Sequence, residues 1–400
     1  MITRSLGAIL FMVAGTTLAA AWSIEPSDPG PFYAMDRQEI SATPGDILRI
    51  EDFPSAPQGA RAWRVLYAST GLKDEPIAVS GVIVAPEGAA PAGGRPVVAW
   101  AHGTTGVTSR CAPSLRSDFF KHVPAVQQFL ERGYVVAASD YPGLGTPSPH
   151  PYLVGVSEAR AVLDSVRAAA HVEGVGASSE FAVWGHSQGG HAALFTGQLA
   201  ASYAPDLKLV GVAAAAPASD LAALLHDDLS SRAGKIFTGL AIWSWNKVFE
   251  APLAPLLDPP AIAALDRIAA DCMEGSIQGL VLLERETSIE DDFLKQDLTE
   301  VEPWKTILVE NMPDSGNLGG PLFIAQGTAD PIVLPRVTRA FAEAACRSGT
   351  PVRLHPGPGL DHMGILNESG AAVDWIVDRF AGLPPPSDCG DLPSLTASPG

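Results

Sequence analysis

The sequence predicts an α/β fold in which a mostly parallel central sheet is covered by helices and interrupted by a helical insertion. Three observations lead to this prediction. Short β-branched runs separated by Pro and Gly open the chain, strand-like and helix-like runs alternate from about residue 96, and the alternation stops over 221–313 before it resumes. Regular alternation of this kind is typical of a parallel sheet with helices on its faces.

Composition limits the class of protein. The 400 residues are 46% hydrophobic and 18% charged, which is too apolar for a disordered chain. The formal net charge is −18, so the chain lacks the broad basic surface that nucleic-acid binding needs. The length exceeds what one ordinary core requires, which is consistent with one core that carries an insertion.

The first 21 residues have the pattern of a secretory signal peptide. Arg4 is followed by the apolar run Leu6–Val13 and by small residues at Ala19–Ala21. The alternative is a membrane anchor, but the run is shorter than the ~20 residues that span a bilayer. No later segment is long and apolar enough to do so. We therefore expect an exported protein, either secreted or periplasmic.

Four cysteines remain in the exported chain: Cys111, Cys272, Cys346 and Cys389. No pair has metal-ligand spacing, so we expect no metal site. An even number in an oxidising compartment favours disulfides, although spacing leaves all three pairings open. Free buried thiols are the alternative.

The first predicted strands are Ile47–Phe53, Trp63–Ser69 and Ile77–Ala85. Turn residues separate them, which predicts antiparallel pairing. The strands that follow are apolar throughout, as strands buried on both faces are. These later strands are predicted at 97–101, 135–139, 181–184, 209–215, 321–326 and 352–355. The helices between them are predicted at 123–131, 158–170, from 188 onward, 336–346 and 371–380.

Residues 221–313 read as mostly helical, without a clear strand. We expect this block to form a cap over one core, whose two parts are 22–220 and 314–383, followed by a tail at 384–400. The apolar residues of the block could line a site for an acyl chain or could form only the block's own core.

The strongest motif is Gly185-His186-Ser187-Gln188-Gly189, between a predicted strand and a predicted helix. A sharp strand-to-helix turn of this type lifts a serine hydroxyl above the sheet edge as a nucleophile. A tight turn around a structural serine is the alternative. The strand and helix on either side of the motif favour the nucleophile.

A serine nucleophile needs a base and an acid that orients it, and in this architecture they follow in the order acid, then histidine. Asp330 follows the strand at 321–326, and His362 lies between the last strand and the last helix. Asp361 and Asp220 are the rival acids. His355 lies inside a strand run, where a structural role is expected.

A serine nucleophile that attacks a carbonyl also needs backbone N–H donors for the negative oxygen of the tetrahedral intermediate. We expect one from Gln188 and the other from the loop after the strand at 97–101, with Thr104 first and Gly103 second. An ordinary glycine-rich turn is the alternative. The histidines His102, His186 and His191 are expected to be structural hydrogen-bonding residues.

Several segments together resemble the secretory lipase family. These are AHGTTG at 101–106, SDYPGLGTPSPHPYL at 139–153, GHSQGG at 185–190 and QGTADPIV at 326–333, and the likeness extends from about Asp28 to Cys389. The resemblance implies an α/β-hydrolase fold with a helical cap inserted before the strand that carries the acid. It also implies that Cys111 pairs with Cys272 and Cys346 with Cys389.

The hypothesis from sequence is an exported, monomeric serine hydrolase of carboxylic esters with medium or long acyl chains. It requires no cofactor and allows transient contact with a lipid interface. The nearest alternative is an exported hydrolase or acyltransferase that acts on short esters, polyester or peptides. A non-catalytic binding protein on the same scaffold is a more distant alternative.

Overall fold

The computed structural model describes residues 29–35, 40, 43–147, 149–228, 231–273 and 294–395. The predicted signal peptide at 1–21 lies outside these residues. The strands are β1 (Ile47–Asp52), β2 (Ala60–Thr70), β3 (Pro76–Pro86), β4 (Arg95–Ala101), β5 (Val135–Ser139), β6 (Ala177–His186), β7 (Lys208–Ala215), β8 (Leu322–Gly327) and β9 (Val352–Gly357). The helices are α1 (Val126–Glu131), α2 (Gly155–His171), α3 (Gln188–Tyr203), α4 (Leu221–Asp228), α5 (Arg232–Phe249), α6 (Pro259–Ala270), α7 (Trp304–Glu310), α8 (Pro335–Arg347) and α9 (Ser369–Phe380).

All nine strands form one sheet in the order β1-β2-β3-β5-β4-β6-β7-β8-β9. The pairs β1–β2, β2–β3 and β3–β5 are antiparallel. The remaining pairs along the sheet, from β5–β4 to β8–β9, are all parallel. The predicted antiparallel opening and parallel continuation are both confirmed. The position of β5 between β3 and β4 is a crossover that the sequence did not predict.

The sheet is buried on both faces, which explains its apolar strands. Along β4, Val98 and Trp100 belong to one core cluster, while Val97, Ala99 and Ala101 belong to the other. Helices α2, α3 and α8 contribute side chains to the second cluster, and α1 and α9 to the first. This three-layer arrangement confirms the predicted fold class.

The chain between β7 and β8 contains α4, α5, α6 and α7 in its described part, as the helical pattern predicted. Their apolar residues, such as Leu240 and Trp245, are buried and continuous with the core on one face of the sheet. The disulfide Cys111–Cys272 joins the chain just after α6 to the loop after β4. The helices therefore lie against the sheet on the side of that loop.

The second disulfide, Cys346–Cys389, ties the C-terminal segment to α8, so both pairings implied by the resemblance are present. Near it, Asp388 bonds the edge strand β9 in two ways. Its N–H donates to the carbonyl of Val352 at 2.7 Å, and its Oδ2 accepts from the N–H of Leu354 at 2.8 Å. Within the described residues, no helix combines the length and hydropathy that a membrane span requires.

Candidate active site

Four predicted site segments converge at one edge of the sheet. Ser187 follows β6, Asp330 follows β8, His362 follows β9, and Gly103 and Thr104 follow β4. Because these strands are parallel, their carboxyl ends share an edge, and the loops beyond them meet there. Ser187, His362, Gly103 and Thr104 all line the same cleft.

Ser187 has a backbone conformation that few non-glycine residues adopt, with φ 58° and ψ −118°. Its N–H donates to the carbonyl of Ala215 at 2.9 Å, and its carbonyl accepts from the N–H of His191 at 3.0 Å. Hydrogen bonds on both sides hold the turn between β6 and α3 in this geometry. This is the strained strand-to-helix turn that the motif predicted.

The glycines of the motif are required by close backbone approach. A Cβ on Gly189 would lie 1.9 Å from the carbonyl oxygen of Ala101, and a Cβ on Gly185 would lie 2.0 Å from that of Gly189. Real side chains cannot occupy either position without displacing backbone. The two glycines therefore let the serine turn sit directly against the end of β4.

His362 and Asp330 form a direct hydrogen bond, with 2.8 Å between Nδ1 and Oδ2. Since a carboxylate only accepts, the imidazole carries its hydrogen on Nδ1, which leaves Nε2 as the basic nitrogen. The other oxygen of Asp330 accepts from the N–H groups of Ile332 at 2.8 Å and Val333 at 3.0 Å. Gln326 donates to Oδ2 at 3.2 Å. The carboxylate is therefore buried and held from both sides.

His186 packs against His362 and hydrogen-bonds its backbone. Its Nε2 donates to the carbonyl oxygen of His362 at 2.9 Å, and the two ring centroids are 4.7 Å apart. Burial, with a further contribution from the charge of His362, lowers the pKa of His186 to about 3. His186 therefore stays neutral and acts as a fixed donor beneath the histidine loop.

The rival acids have local structural roles. Asp361 is exposed, and its Oδ1 accepts from the N–H of Gly364 at 2.7 Å. Asp220 precedes α4 and accepts from the N–H of Ala223 at 2.9 Å. His355 lies within β9 with its Nε2 3.5 Å from Glu368. Of the three acids considered, Asp330 is the one that bonds His362.

The loop after β4 is anchored next to the serine. The ring of His102 contacts the carbonyls of Gly103 at 2.6 Å and Asp140 at 3.2 Å, and burial lowers the pKa of His102. Thr104 Oγ1 lies 2.9 Å from the hydroxyl of Tyr152. Gln188 is the first residue of α3, where the backbone N–H groups of a helix lack intrahelical partners. Both predicted donor segments therefore flank Ser187.

The sequence model of the secretory lipase family matches residues 121–388, more than half of the chain. The chain belongs to the secretory lipase family. Among curated relatives, the chain is 27% identical over 395 residues to a Mycobacterium tuberculosis protein named probable inactive lipase. The match covers 90% of this chain and 83% of the relative. It is 25% identical over 431 residues to Lipase 6 of Candida albicans, covering 95% and 88%.

Solved structures support the fold. Candida antarctica lipase A superposes with a TM-score of 0.75 at 20% identity, covering 94% of this chain and 92% of that one. The rice cell wall degrading esterase LipA of Xanthomonas oryzae superposes with a TM-score of 0.72 at 20% identity, covering 84% and 99%. At these identities the likeness concerns the fold alone, which is that of the α/β-hydrolases.

A buried polar network behind the serine of this secretory lipase family member was missed by sequence reasoning. Glu158 Oε1 accepts from Gln188 Nε2 at 2.7 Å, and Glu158 Oε2 contacts His191 Nδ1 at 3.0 Å. Gln188 Nε2 also lies 2.9 Å from His150 Nε2, and His191 Nε2 lies 2.8 Å from the carbonyl of Asn311. The sequence predicted a structural hydrogen-bonding role for His191 but did not single out Glu158, the first residue of the helix predicted at 158–170.

Two cavities meet at Ser187. The cleft has a volume of about 370 Å³ and is lined by Ser187, His362, Gly103 and Thr104 together with both cysteines of the Cys111–Cys272 disulfide. A second, small cavity has a volume of about 30 Å³. Its described lining includes Ser187, Gln188, Tyr152 and leucines of α4, without a charged side chain among the described residues. The serine therefore stands between a large and a small space.

Proposed function

We propose that this chain is a serine hydrolase of carboxylic esters, as the names of its lipase relatives suggest. The observation that carries the proposal is the 2.8 Å hydrogen bond between Asp330 and His362 on the cleft that Ser187 also lines. Serine is a weak nucleophile at neutral pH and needs a base that a third group orients. Asp330 supplies that orientation through Nδ1 of His362.

In the proposed reaction, Ser187 Oγ forms a bond to the ester carbonyl carbon while His362 Nε2 accepts the hydroxyl proton. The carbon–oxygen bond to the alcohol then breaks, and the departing alkoxide takes that proton from His362. Water attacks the resulting acyl-enzyme, gives its proton to His362 and releases the acid, and the proton returns to Ser187. Asp330 stays ionised and stabilises the imidazolium in both steps.

The negative oxygen of each tetrahedral intermediate would be bound by backbone N–H groups. We assign one to Gln188, at the N-terminus of α3, where the helix dipole also favours negative charge. The other comes from Thr104, or in second place from Gly103, on the loop that the ring of His102 anchors. These donors are backbone groups in rigid turns, so they need no reorganisation during the reaction.

We further propose that 221–313 acts as a cap over the core formed by 22–220 and 314–383, with 384–400 as a tail. The buried face of α5 and the disulfide Cys111–Cys272 support this arrangement. Membership in the secretory family, the two disulfides and the leader-like residues 1–21 support export to the periplasm or the exterior.

The decisive test combines hydrolysis of 4-nitrophenyl esters with labelling by a fluorophosphonate probe. We expect wild-type protein to react with both and Ser187→Ala to react with neither, in folded protein. Ser178→Ala, at the opposite end of the same strand β6, is the matched control and should keep both activities. Ester turnover retained in Ser187→Ala would reject the mechanism.

A second candidate is a non-catalytic binding protein on the same fold. The relative named probable inactive lipase, 27% identical over 395 residues, favours it. In that case wild-type protein would neither turn over esters nor take up the fluorophosphonate, although it would remain folded by circular dichroism. Fluorophosphonate labelling of Ser187 would by itself reject the binding protein and favour the hydrolase.

A further inference from the structure

The two cavities at Ser187 differ in which groups of the proposed site they contain. Among the described residues, His362 lines the cleft and not the small cavity. Gly103 and Thr104 likewise belong to the cleft, whereas the small cavity contains Gln188. The two spaces are therefore chemically distinct sides of one serine.

The chemistry of ester cleavage assigns one part of the substrate to each side. His362 must give its proton to the departing alcohol oxygen, so the alcohol has to leave on the side that His362 lines. The carbonyl oxygen points to the backbone donors. The remaining substituent of the tetrahedral carbon, the acyl chain, then takes the side away from His362, which is the side of the small cavity.

The small cavity has a mostly apolar lining. Leu221, Leu224 and Leu225 of α4 line it, and all three side chains are buried. Val333, next to the turn that holds Asp330, lines it as well and is buried. An apolar chain is thus the chemistry that this space accepts.

The volumes set the sizes of the two substrate parts. About 30 Å³ is room for roughly two or three water-sized groups, so the cavity holds up to about three carbons beyond the carbonyl. The cleft, at about 370 Å³, accommodates a much larger group. Phe237 of α5 and Ser187 line both cavities, and the contact of Thr104 with Tyr152 at 2.9 Å joins their walls.

From this geometry we infer that the enzyme prefers esters of short acids, acetate to butyrate, with bulky, largely apolar alcohols. The inference rests on the proposed function, since it uses His362 as the proton donor. It places the bulk of the substrate in the alcohol, whereas the sequence hypothesis placed it in the acyl chain. In the favoured reaction, the short acyl group moves from the alcohol oxygen to Ser187 Oγ, and the protonated alcohol leaves through the cleft.

Two substrate series test the inference. In the first, one alcohol is esterified with acids of two to twelve carbons; in the second, acetate is esterified with alcohols of increasing size. We expect kcat/KM to fall about tenfold or more between butyrate and octanoate. We expect it to stay level or rise with alcohol size. A profile that rises toward octanoate or laurate in soluble substrates would overturn the inference.

Variants locate the cause in the small cavity. Leu224→Ala removes part of its wall and should raise the octanoate-to-acetate ratio of kcat/KM about tenfold, and Leu225→Ala is a second variant of the same wall. Leu366→Ala, which changes the lining of the cleft, should alter the alcohol profile and leave the acyl ratio as in wild type. Ratios measured within one preparation do not depend on the folded fraction.

The outcomes separate this inference from the proposed function. Fluorophosphonate labelling of Ser187 with a long-chain preference rejects the short-acyl inference and keeps the hydrolase. No labelling and no turnover of any ester reject the hydrolase, and the inference with it. An acyl ratio that changes in Leu366→Ala and not in the α4 variants would assign the acyl chain to the cleft and overturn the inference.

Discussion

The side-chain amide of Gln188 donates to Glu158 Oε1 at 2.7 Å, although the two residues are thirty positions apart and both are buried. Gln188 follows the proposed nucleophile and carries one of the proposed oxyanion donors on its backbone. Its second amide hydrogen points to His150 Nε2 at 2.9 Å. The orientation of the residue is therefore set by partners on other parts of the fold, outside helix α3.

Glu158→Ala should lower kcat by roughly 10- to 100-fold with little change in KM, because small displacements of transition-state donors cost this much. Glu158→Gln should restore most of kcat, since the amide oxygen of Gln can still accept from Gln188 Nε2. The measurement is steady-state kinetics on a soluble ester, normalised by active-site titration.

Asp164 gives the matched control for Glu158. It is also a fully buried carboxylate on α2, but it bonds Ser69 at 2.7 Å and Tyr203 at 2.8 Å, away from the serine. Asp164→Ala should reduce the free energy of unfolding and leave kcat close to wild type. An equal loss of kcat in both alanine variants would mean that Glu158 acts through general stability.

The assignment of the acid predicts a clear ranking of three aspartate variants. Asp330→Asn should lower kcat roughly 10³- to 10⁴-fold, because the amide favours the wrong imidazole tautomer. Asp361→Asn and Asp220→Asn should stay within a few-fold of wild type, since their carboxylates bond the backbone of Gly364 and Ala223. A large loss in either of these two variants would move the acid role away from Asp330.

His150 predicts an acid dependence of stability. Burial lowers its pKa to about 4 in the folded protein, from 6.5. A lowered folded pKa means that the unfolded chain binds the proton first, so the associated stability is present above about pH 6.5 and lost toward pH 4. The loss amounts to about 1.4 kcal/mol per pH unit within that window.

His150→Gln removes this titration. Urea unfolding at several pH values should show the variant less stable than wild type at pH 7, with the gap closing by about 2 kcal/mol between pH 6.5 and 5. A gap that stays constant over this range would show that His150 has an ordinary pKa in the folded protein.

The two disulfides should differ in their effect on activity. Cys111 and Cys272 both line the cleft, whereas Cys346 and Cys389 do not appear in its described lining. Replacing either pair by alanine should cost about 2–5 kcal/mol of stability. The loop closed by Cys111–Cys272 has a sequence separation of 161 against 43, which adds about 1 kcal/mol to its loss.

Kinetics at a temperature where both variants remain folded distinguish the two bonds. The Cys111→Ala/Cys272→Ala protein should show a several-fold higher KM, because the cleft wall is no longer tethered to the loop after β4. The Cys346→Ala/Cys389→Ala protein should keep the wild-type KM. Equal KM values in both variants would show that substrate binding in the cleft does not depend on the Cys111–Cys272 bond.

Local signals in the chain predicted most of the fold. Apolar runs identified the strands, and the glycines around Ser187 identified the sharp turn, because each depends on neighbours in sequence. The insertion of β5 between β3 and β4 depends on how distant strands pair, so no local pattern reports it. The same limit applies to Glu158 and His191, whose contact joins two helices.

The choice of acid shows how far the site could be predicted from the sequence. Chain order allowed Asp330, Asp361 or Asp220 to be the acid that orients the histidine. The sequence alone did not exclude Asp361 or Asp220. The carboxylate orientation separates them, since Asp330 Oδ2 lies 2.8 Å from His362 Nδ1. Side-chain direction at the end of a strand follows from the packed turn beneath it, here the amide of Gln326 and the N–H groups of Ile332 and Val333.

The C-terminal segment fastened to β9 has a consequence for the protein in concentrated solution. A parallel edge strand left bare would offer a row of free donors and acceptors to the same strand of another molecule. Asp388 occupies the N–H of Leu354 and the carbonyl of Val352, and the bond between Cys346 and Cys389 keeps it there. The tail thus blocks the pairing of β9 with a strand of another molecule. Loss of the tail would favour aggregation before it affected the chemistry at the opposite end of the strands.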